Sequence, residues 1–502
     1  MDFIVRHILT LILFLPTAAA AVIFFLPNSK EKLIKWAAFL FSLLPLLFTV
    51  IMWTGFKPDQ PGFQYQEQAA WFPSIASTYH LGVDGISLPM VLLTTLLTPL
   101  ALLASFSIKE RIKPYMMLFL FLETGMLGVF VSLDLLLFFV FWEVGLVPMY
   151  FLINQWGGEN RNYASLKFIL YTMAGSLGLL LSIQLIGAIS GTFDLPQLFT
   201  TWPGLTGSLF GLPMATIKTI AFWAFVVAFA IKVPVWPFHT WLPDAHTEAP
   251  TPGSMILAGV LLKLGAYGFL RLVLPLFPVE AKFFAGALAF LATMAIIFGA
   301  FAAFGQKDFK KLVAYSSINH MGFVILGIAV GAAAAGTENA HLALNGAVLQ
   351  MFNHGLSSAG MFFLVGVIYE RTHTRNLDDF GGLFTLVPLF GGLLLFISMA
   401  SLGLPGLIGF VSEFLVVRGS WPVFTVATAL SMIGLLFTGA YVLIALRKVL
   451  HGPLNTRWVG HLSEINTREI FVLVPLIVFI LAIGIWPAWI LEIINKAVMM
   501  LY

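Results

Sequence analysis

The chain has 502 residues, 60% of them hydrophobic and only 10% charged, with a mean hydropathy of +0.97. A soluble domain is about a quarter charged, so a water-soluble fold is excluded, and lipid is the solvent that accepts 49 Phe and 13 Trp. The net charge of +3 gives no footing for nucleic acid, and zero Cys removes disulfides, thiolate metal sites and iron–sulfur ligation from this chain.

A bilayer crossing needs about 20 apolar residues. Fourteen such runs follow one another, at about 5–26, 33–54, 86–107, 114–133, 135–155, 163–190, 215–242, 254–277, 282–304, 311–332, 341–368, 384–415, 422–447 and 470–494. They predict an all-α polytopic membrane protein. At the start, Arg6 and His7 ahead of ILTLILFLPTAAAA imitate a secretory signal with an Ala-rich cleavage site. The apolar stretch continues through VIFFLP to about Pro27, long enough to span, so a retained first helix is expected and a cleaved signal is the alternative. The longest link, about 56–85, holds Pro, Gln and aromatic residues and reads as an ordered surface loop. Four segments are expected: an N-terminal three-helix part (1–110), two helical repeats (111–280 and 281–450), and a C-terminal loop with the last helix (451–502).

Lys and Arg gather on the cytoplasmic side of membrane proteins. With the N-terminus outside and the runs alternating, the inner loops hold 17 of the 26 basic residues, among them Lys30, Lys109, Arg161, Lys310, Arg375 and Arg447, and the outer side holds seven. An odd number of crossings would scramble this split. Both termini are therefore expected outside.

Two lysines fall in neither group. Lys263, in MILAGVLLKLGAYGF, is about 13 Å into its helix at 1.5 Å per residue. Lys232, in WAFVVAFAIKVPVWPF, is too far from either end to snorkel. A charge at mid-bilayer costs at least about 2.5–3.5 kcal/mol and marks a functional site by default. Glu143, His320, His354 and Glu413 are further polar groups inside apolar runs. A lone membrane histidine is ordinarily a packing residue and a buried lysine can be half of a static salt bridge. Two carboxylates, two lysines and two histidines on six helices instead fit a proton relay, in which each group holds or passes one proton through internal water. Glu123 is a weaker candidate, for which a helix-cap partner or a neighbouring subunit is an equal reading, and Asp134 marks a helix start.

Two runs are broken, one at Pro234 and Pro237, the other at Gly403, Pro405, Gly406 and Gly409. Proline removes a backbone donor, and freed carbonyls at membrane depth are tolerated where they line a cavity or pack on protein. The breaks fall in the seventh and twelfth helices, the fourth members of two five-helix units, helices 4–8 and 9–13, which enter from opposite sides. That arrangement is an inverted repeat of the kind transporters use. EVGLV at 143–147 resembles HMGFV at 320–324, each nine positions after a charged helix start, Asp134 and Lys311.

In HTWLPDAHTE, His239, Asp244, His246 and Glu248 allow a metal-ligand reading, but a hydrogen-bonded loop closing the proton intake is preferred and no metal is expected. A haem held by paired histidines is disfavoured because they lie at different depths. No GxGxxG or GxxxxGK[ST] run is present, so NADH must bind another chain.

The run FHTWLPDAHTEAPTPGSMILAGVLLKLGAYG (238–268) resembles the signature of the antiporter-like membrane subunits of respiratory complex I, the proton-pumping NADH–quinone oxidoreductase. EVGLVPMY, KLVAYSSINHMGF, FNHGLSSAGMFF and LGLPGLIGFVSEF extend the likeness over most of the chain. The likeness is strongest to the M type, counterpart of mitochondrial subunit 4: Glu413 stands where sister subunits commonly have a lysine, and no extension with a long lateral helix follows, as it does in the L type. The resemblance implies an ion pair of Glu143 and Lys232, a central relay at Lys263, connecting groups at His320 and His354 and a terminal site at Glu413. It implies no cofactor on this chain, with NADH, FMN, iron–sulfur clusters and quinone on partner subunits. The implied partners are neighbouring antiporter-like subunits, one of them carrying the lateral helix, together with lipid, protons and internal water. Two other readings stay open: a subunit of a sodium/proton antiporter or membrane-bound hydrogenase, and a structural scaffold with no proton path of its own.

Overall fold

A computed structural model of the chain describes residues 2–209 and 211–501, with side chains from Ile4 onward. The helices follow the apolar runs: α1 Ile8–Phe25, α2 Glu31–Gly55, α3 Ser87–Ser107, α4 Ile112–Val131, α5 Leu135–Trp156, α6 Arg161–Ser190, α7 in two pieces (Met214–Lys232 and Trp241–Glu248), α8 Thr251–Leu276, α9 Ala285–Phe304, α10 Phe309–Ala333, α11 Glu338–Thr372, α12 in two pieces (Pro388–Leu402 and Ile408–Ser420), α13 Thr425–Leu450 and α14 Thr467–Ile485. Among the described residues, thirteen helices are long and apolar enough to cross a membrane, and the two pieces of α12 cover the remaining apolar run, the first of them a shorter apolar helix. The most enclosed are α8 and α11, with their apolar windows wholly buried, followed by α3 and α10. Three of these four carry the relay candidates Lys263, His354 and His320.

Each broken helix has a local cause. Pro234 has no N–H, so it cannot bond the carbonyl of Ala230 four residues back. Val235 N takes that carbonyl instead at 2.7 Å, and the freed oxygen of Ile231 accepts from the indole of Trp241 at 2.9 Å. The chain then resumes as a helix through Trp241–Glu248, so HTWLPDAHTE is mostly a helix and not the expected loop. In α12 the first piece ends on Gly403 at φ +81°, a left-handed cap that favours glycine. A milder hitch at Gly145 divides α5, because Pro148 leaves the carbonyl of Val144 without its helical donor. Glu143 stands beside it.

The 56–85 link is more regular than a loop. Strands β1 (Gln64–Phe72) and β2 (Ser77–Val83) form an antiparallel hairpin with Glu67 opposite Leu81 and Ala70 opposite Thr78. The last apolar run also divides: α14 ends at Ile485, and Ala488–Met499 forms a separate amphipathic helix α15 tied down by Asn345 to Asn495 at 2.7 Å and Lys496 to Asp59 at 2.7 Å.

Helices α5 and α10 begin alike. Asp134 accepts from Leu136 N and Leu137 N, both at 3.0 Å, and Asp308 accepts from Lys310 N and Lys311 N at 2.8 and 3.0 Å. Each capping aspartate also forms an isolated β-bridge just after the next long helix, to Asp194 and to Asn376. The residue matching Asp134 is thus Asp308, three positions before Lys311, and the likeness of EVGLV to HMGFV is out of register with the caps by that amount.

Candidate functional site

Lys263 enters the core from a helix loosened by π-helical turns at Leu257–Leu261 and Phe269–Val273. Such turns leave carbonyls free, and the Lys263 amine donates to one of them, Ala258 O. The same Nζ is hydrogen bonded to Nδ1 of His354 at 2.6 Å, and Lys263 has no exposed surface. The other nitrogen of His354, Nε2, has no hydrogen-bond partner among the described residues. The His354 and His320 rings stand 5.8 Å apart centre to centre at 44°. His320 then shares a hydrogen bond of 2.8 Å between Nδ1 and Oε1 of Glu413, and its Nε2 meets the Ser401 hydroxyl at 3.1 Å beside the α12 break. Four of the six expected relay residues therefore form one buried chain across α8, α11, α10 and α12.

Sequence reasoning missed the support around Glu413. Gln350 Nε2 donates to Glu413 Oε1 at 3.0 Å. The Gln350 carbonyl oxygen is held in turn by Asn353 Nδ2 at 2.8 Å and by the Ser412 hydroxyl. Two donors on that oxygen fix the amide, so its NH₂ must face the carboxylate. A signal is present in the sequence: Gln350, Asn353, His354, Ser357 and Ser358 recur at helical spacing on one face of an apolar run.

Glu143 and Lys232 are near but not in contact. Lys232 is 2% exposed, lies within electrostatic reach of Glu143, and its Nζ has no hydrogen-bond partner among the described residues. The amine instead sits over the ring of Trp142, 4.9 Å from its centre, and that indole is anchored by Nε1 to Ser176 Oγ at 3.0 Å. No direct hydrogen bond joins Lys232 to Lys263 among the described residues, although α7 and α8 approach closely: a Cβ added to Gly265 would lie 3.0 Å from Lys232 Cβ.

The secondary candidates divide by neighbourhood. Asp134 is a fully used cap, also bonded by Ser77 Oγ at 3.0 Å and Thr78 N at 2.8 Å from the hairpin. Asp244 pairs with Lys167 at 2.7 Å. Glu248 accepts from Asn160 N at 2.9 Å, while Gly158 N bonds its main-chain oxygen at 2.9 Å. Asp244 and Glu248 are thus each engaged elsewhere, and the ring of His239 lies 6.4 Å from that of Tyr315. His246 is fully buried and stacked on Phe362 at 4.3 Å, with neither ring nitrogen bonded among the described residues. Glu123 is likewise buried with both oxygens unpartnered among the described residues, on α4 and apart from the chain just described.

Comparison with known proteins agrees in extent with this architecture. Residues 132–438 match the family described as NADH:quinone oxidoreductase/Mrp antiporter, transmembrane. The chain is 40% identical to the NADH-quinone oxidoreductase subunit M of Rhodobacter capsulatus, over 98% of this chain and 96% of that protein. It is 38% identical to the NADH-ubiquinone oxidoreductase chain 4 of Marchantia polymorpha, over 97% and 95%. Among solved structures, a chain of respiratory complex I from Thermus thermophilus with bound NADH superposes with a TM-score of 0.86 at 29% identity, covering 98% of this chain and 99% of that one. A chain of the Mrp complex from a Dietzia species shares the fold alone, with a TM-score of 0.86 at 21% identity over 98% and 97%.

Proposed function

The chain belongs to the NADH:quinone oxidoreductase/Mrp antiporter membrane family, and from that membership we propose that it is the M-type, proton-translocating subunit of a complex I, working through the buried chain from Lys263 to Glu413. The observation that carries this reading is the run of contacts Lys263–His354, His354 beside His320, and His320–Glu413, because these groups can each bind and release a proton and are spaced for hops. A proton on Lys263 passes to His354 Nδ1. Release from Nε2 sends it through an intervening water to His320, and His320 gives its Nδ1 proton to Glu413 Oε1. The near full-length identity to subunit M favours this host over an antiporter complex or a hydrogenase.

Glu143 and Lys232 supply the control. Lys232 held over Trp142 is poised between that ring and the Glu143 carboxylate, so a charge arriving from a neighbouring subunit draws the amine one way or the other. That shift alters the field at Lys263 on the adjacent helix. Quinone reduction takes place elsewhere in the assembly, and NADH, FMN, iron–sulfur clusters and quinone are assigned to partner subunits. The Lys- and Arg-rich face is the cytoplasmic one, both termini lie on the other side, and the membrane is the inner membrane of a bacterium.

The test is Lys232→Ala and Lys263→Arg in the assembled complex. An arginine keeps the charge but does not deprotonate at neutral pH. Both variants should lower the proton-to-electron ratio. Full pumping with normal quinone reductase activity in both would remove the reading, and loss of assembly with an unchanged ratio would favour a scaffold.

A further inference from the structure

On the Lys- and Arg-rich face, a cavity of about 270 Å³ is lined by Gly157, Glu248, Thr251, Lys310, Tyr369 and Arg375, among others. Lys310 differs from its neighbours in the sequence. Lys307 is exposed and Lys311 partly so, whereas Lys310 is 6% exposed and donates to Ala249 O. No carboxylate among the described residues is in direct contact with it: Asp308 caps α10 and pairs with Arg375 at 3.2 Å, and Glu248 is occupied by Asn160 N. An ammonium has three donors, and Ala249 O accounts for one.

Near this lysine is His246, which is more deeply buried. Its imidazole has no exposed surface, neither nitrogen has a partner among the described residues, and it lies within electrostatic reach of both Lys310 and Lys263. His354 in turn lies within reach of His246. An orphaned imidazole within electrostatic reach of two buried amines has no structural duty for its nitrogens. Its ring face is packed on Phe362, which fixes the plane and leaves both nitrogen edges free for exchange.

We propose that Lys310 is the proton-loading group of this chain, taking protons from water in the cavity and passing them by way of His246 to the Lys263–His354 pair. In each step an Nζ–H bond of Lys310 breaks as an intervening water takes that proton and gives up another, an N–H bond forms on His246, and the neutral amine left behind is reprotonated from the cavity. This rests on the reading of Lys263 to Glu413 as a proton path. It adds a third buried lysine and gives the path a beginning.

The experiment uses the assembled complex in sealed vesicles, with Lys310→Met, Lys310→Arg, Lys311→Met and Lys263→Met compared at equal complex content. Both Lys310 variants should lose proton translocation roughly a hundredfold or more, and Lys311→Met should retain it. Normal translocation in Lys310→Arg overturns the proposal, because arginine preserves the charge and a donor for Ala249 O and fails only at deprotonation. Lys263→Met separates the two readings. If it pumps normally the path itself is wrong; if it is inactive while both Lys310 variants pump, only the loading role falls. Should the Lys310 variants not assemble, the Cys-free chain allows Thr251→Cys with Lys310 intact. A charged, membrane-impermeant thiol reagent should label it from the Lys- and Arg-rich face alone, and absence of labelling from that face overturns the proposal.

Discussion

Lys263 and His354 lie 91 residues apart and are joined side chain to side chain at 2.6 Å in the most enclosed part of the bundle. Two cations at that distance repel strongly, so in the proposed path the pair carries one proton between them. Removing either partner should disable the same step. His354→Leu and Lys263→Met are each expected to lower proton translocation roughly a hundredfold or more, and the double variant should be no worse than the poorer single one, since the effects of groups acting together do not add. Vesicle acidification at matched quinone reductase activity measures this. Additive losses would mean the two residues serve separate routes.

Gln350 fixes the far end. Its amide is oriented by Asn353 and Ser412, and its donor shares Glu413 Oε1 with His320. Donors to a carboxylate favour the ionised form. Gln350→Leu removes one of the two and should slow release from Glu413, lowering steady translocation by about threefold to tenfold, an effect of about 1 kcal/mol. Gln350→Glu should be worse, as it sets two acids against one histidine. A Gln350→Leu variant with wild-type pumping and a wild-type pH profile would reduce this residue to packing.

Much of this architecture is legible in the amino-acid sequence alone. Run lengths give the crossings, and Pro234, Pro237, Pro405 and Gly406 give both breaks, because length and missing donors are local properties. Partners across helices are not legible in that way. Lys310 sits in QKDFKK, which reads as a solvated charge cluster, and its burial depends on α7 and α11 closing over it. The family resemblance implies that Glu143 and Lys232 touch, but the Lys232 amine lies over the ring of Trp142 and has no hydrogen-bond partner among the described residues. The final run reads as one span because Ile490, Ile493 and Ile494 continue the apolar pattern, yet Trp486–Pro487 ends α14 and those isoleucines form the buried face of α15.

Trp142 offers Lys232 a ring face at 4.9 Å. A desolvated cation over an indole gains about 2 kcal/mol. Trp142→Leu removes that resting place and should push the amine towards Glu143, so proton translocation should drop severalfold while Trp142→Phe keeps most of it. In a Glu143→Gln background the tryptophan change should matter much less, because the alternative partner is gone. Equal effects in both backgrounds would show that Trp142 acts on packing alone.

Stability should depend on pH through Asp84, which lies just ahead of α3. Burial by itself raises its carboxyl, but the Arg271 guanidinium and the amides of Ser87 and Ile86 outweigh this and hold it below the usual carboxylate range. A group held lower in the fold than in the unfolded chain adds stability that is complete above its unfolded value and is lost as pH falls through its folded one. The thermal midpoint in detergent should therefore hold near neutral pH and fall on acidification below about pH 4. Asp84→Asn leaves Arg271 buried with Tyr267 as its remaining side-chain hydrogen-bond partner among the described residues, at 3.2 Å. It should destabilise by about 3–5 kcal/mol at neutral pH and flatten the acid limb. A variant as stable as the parent at neutral pH, with the same acid limb, would show that the pair contributes nothing to holding α8 against the hairpin side of the protein.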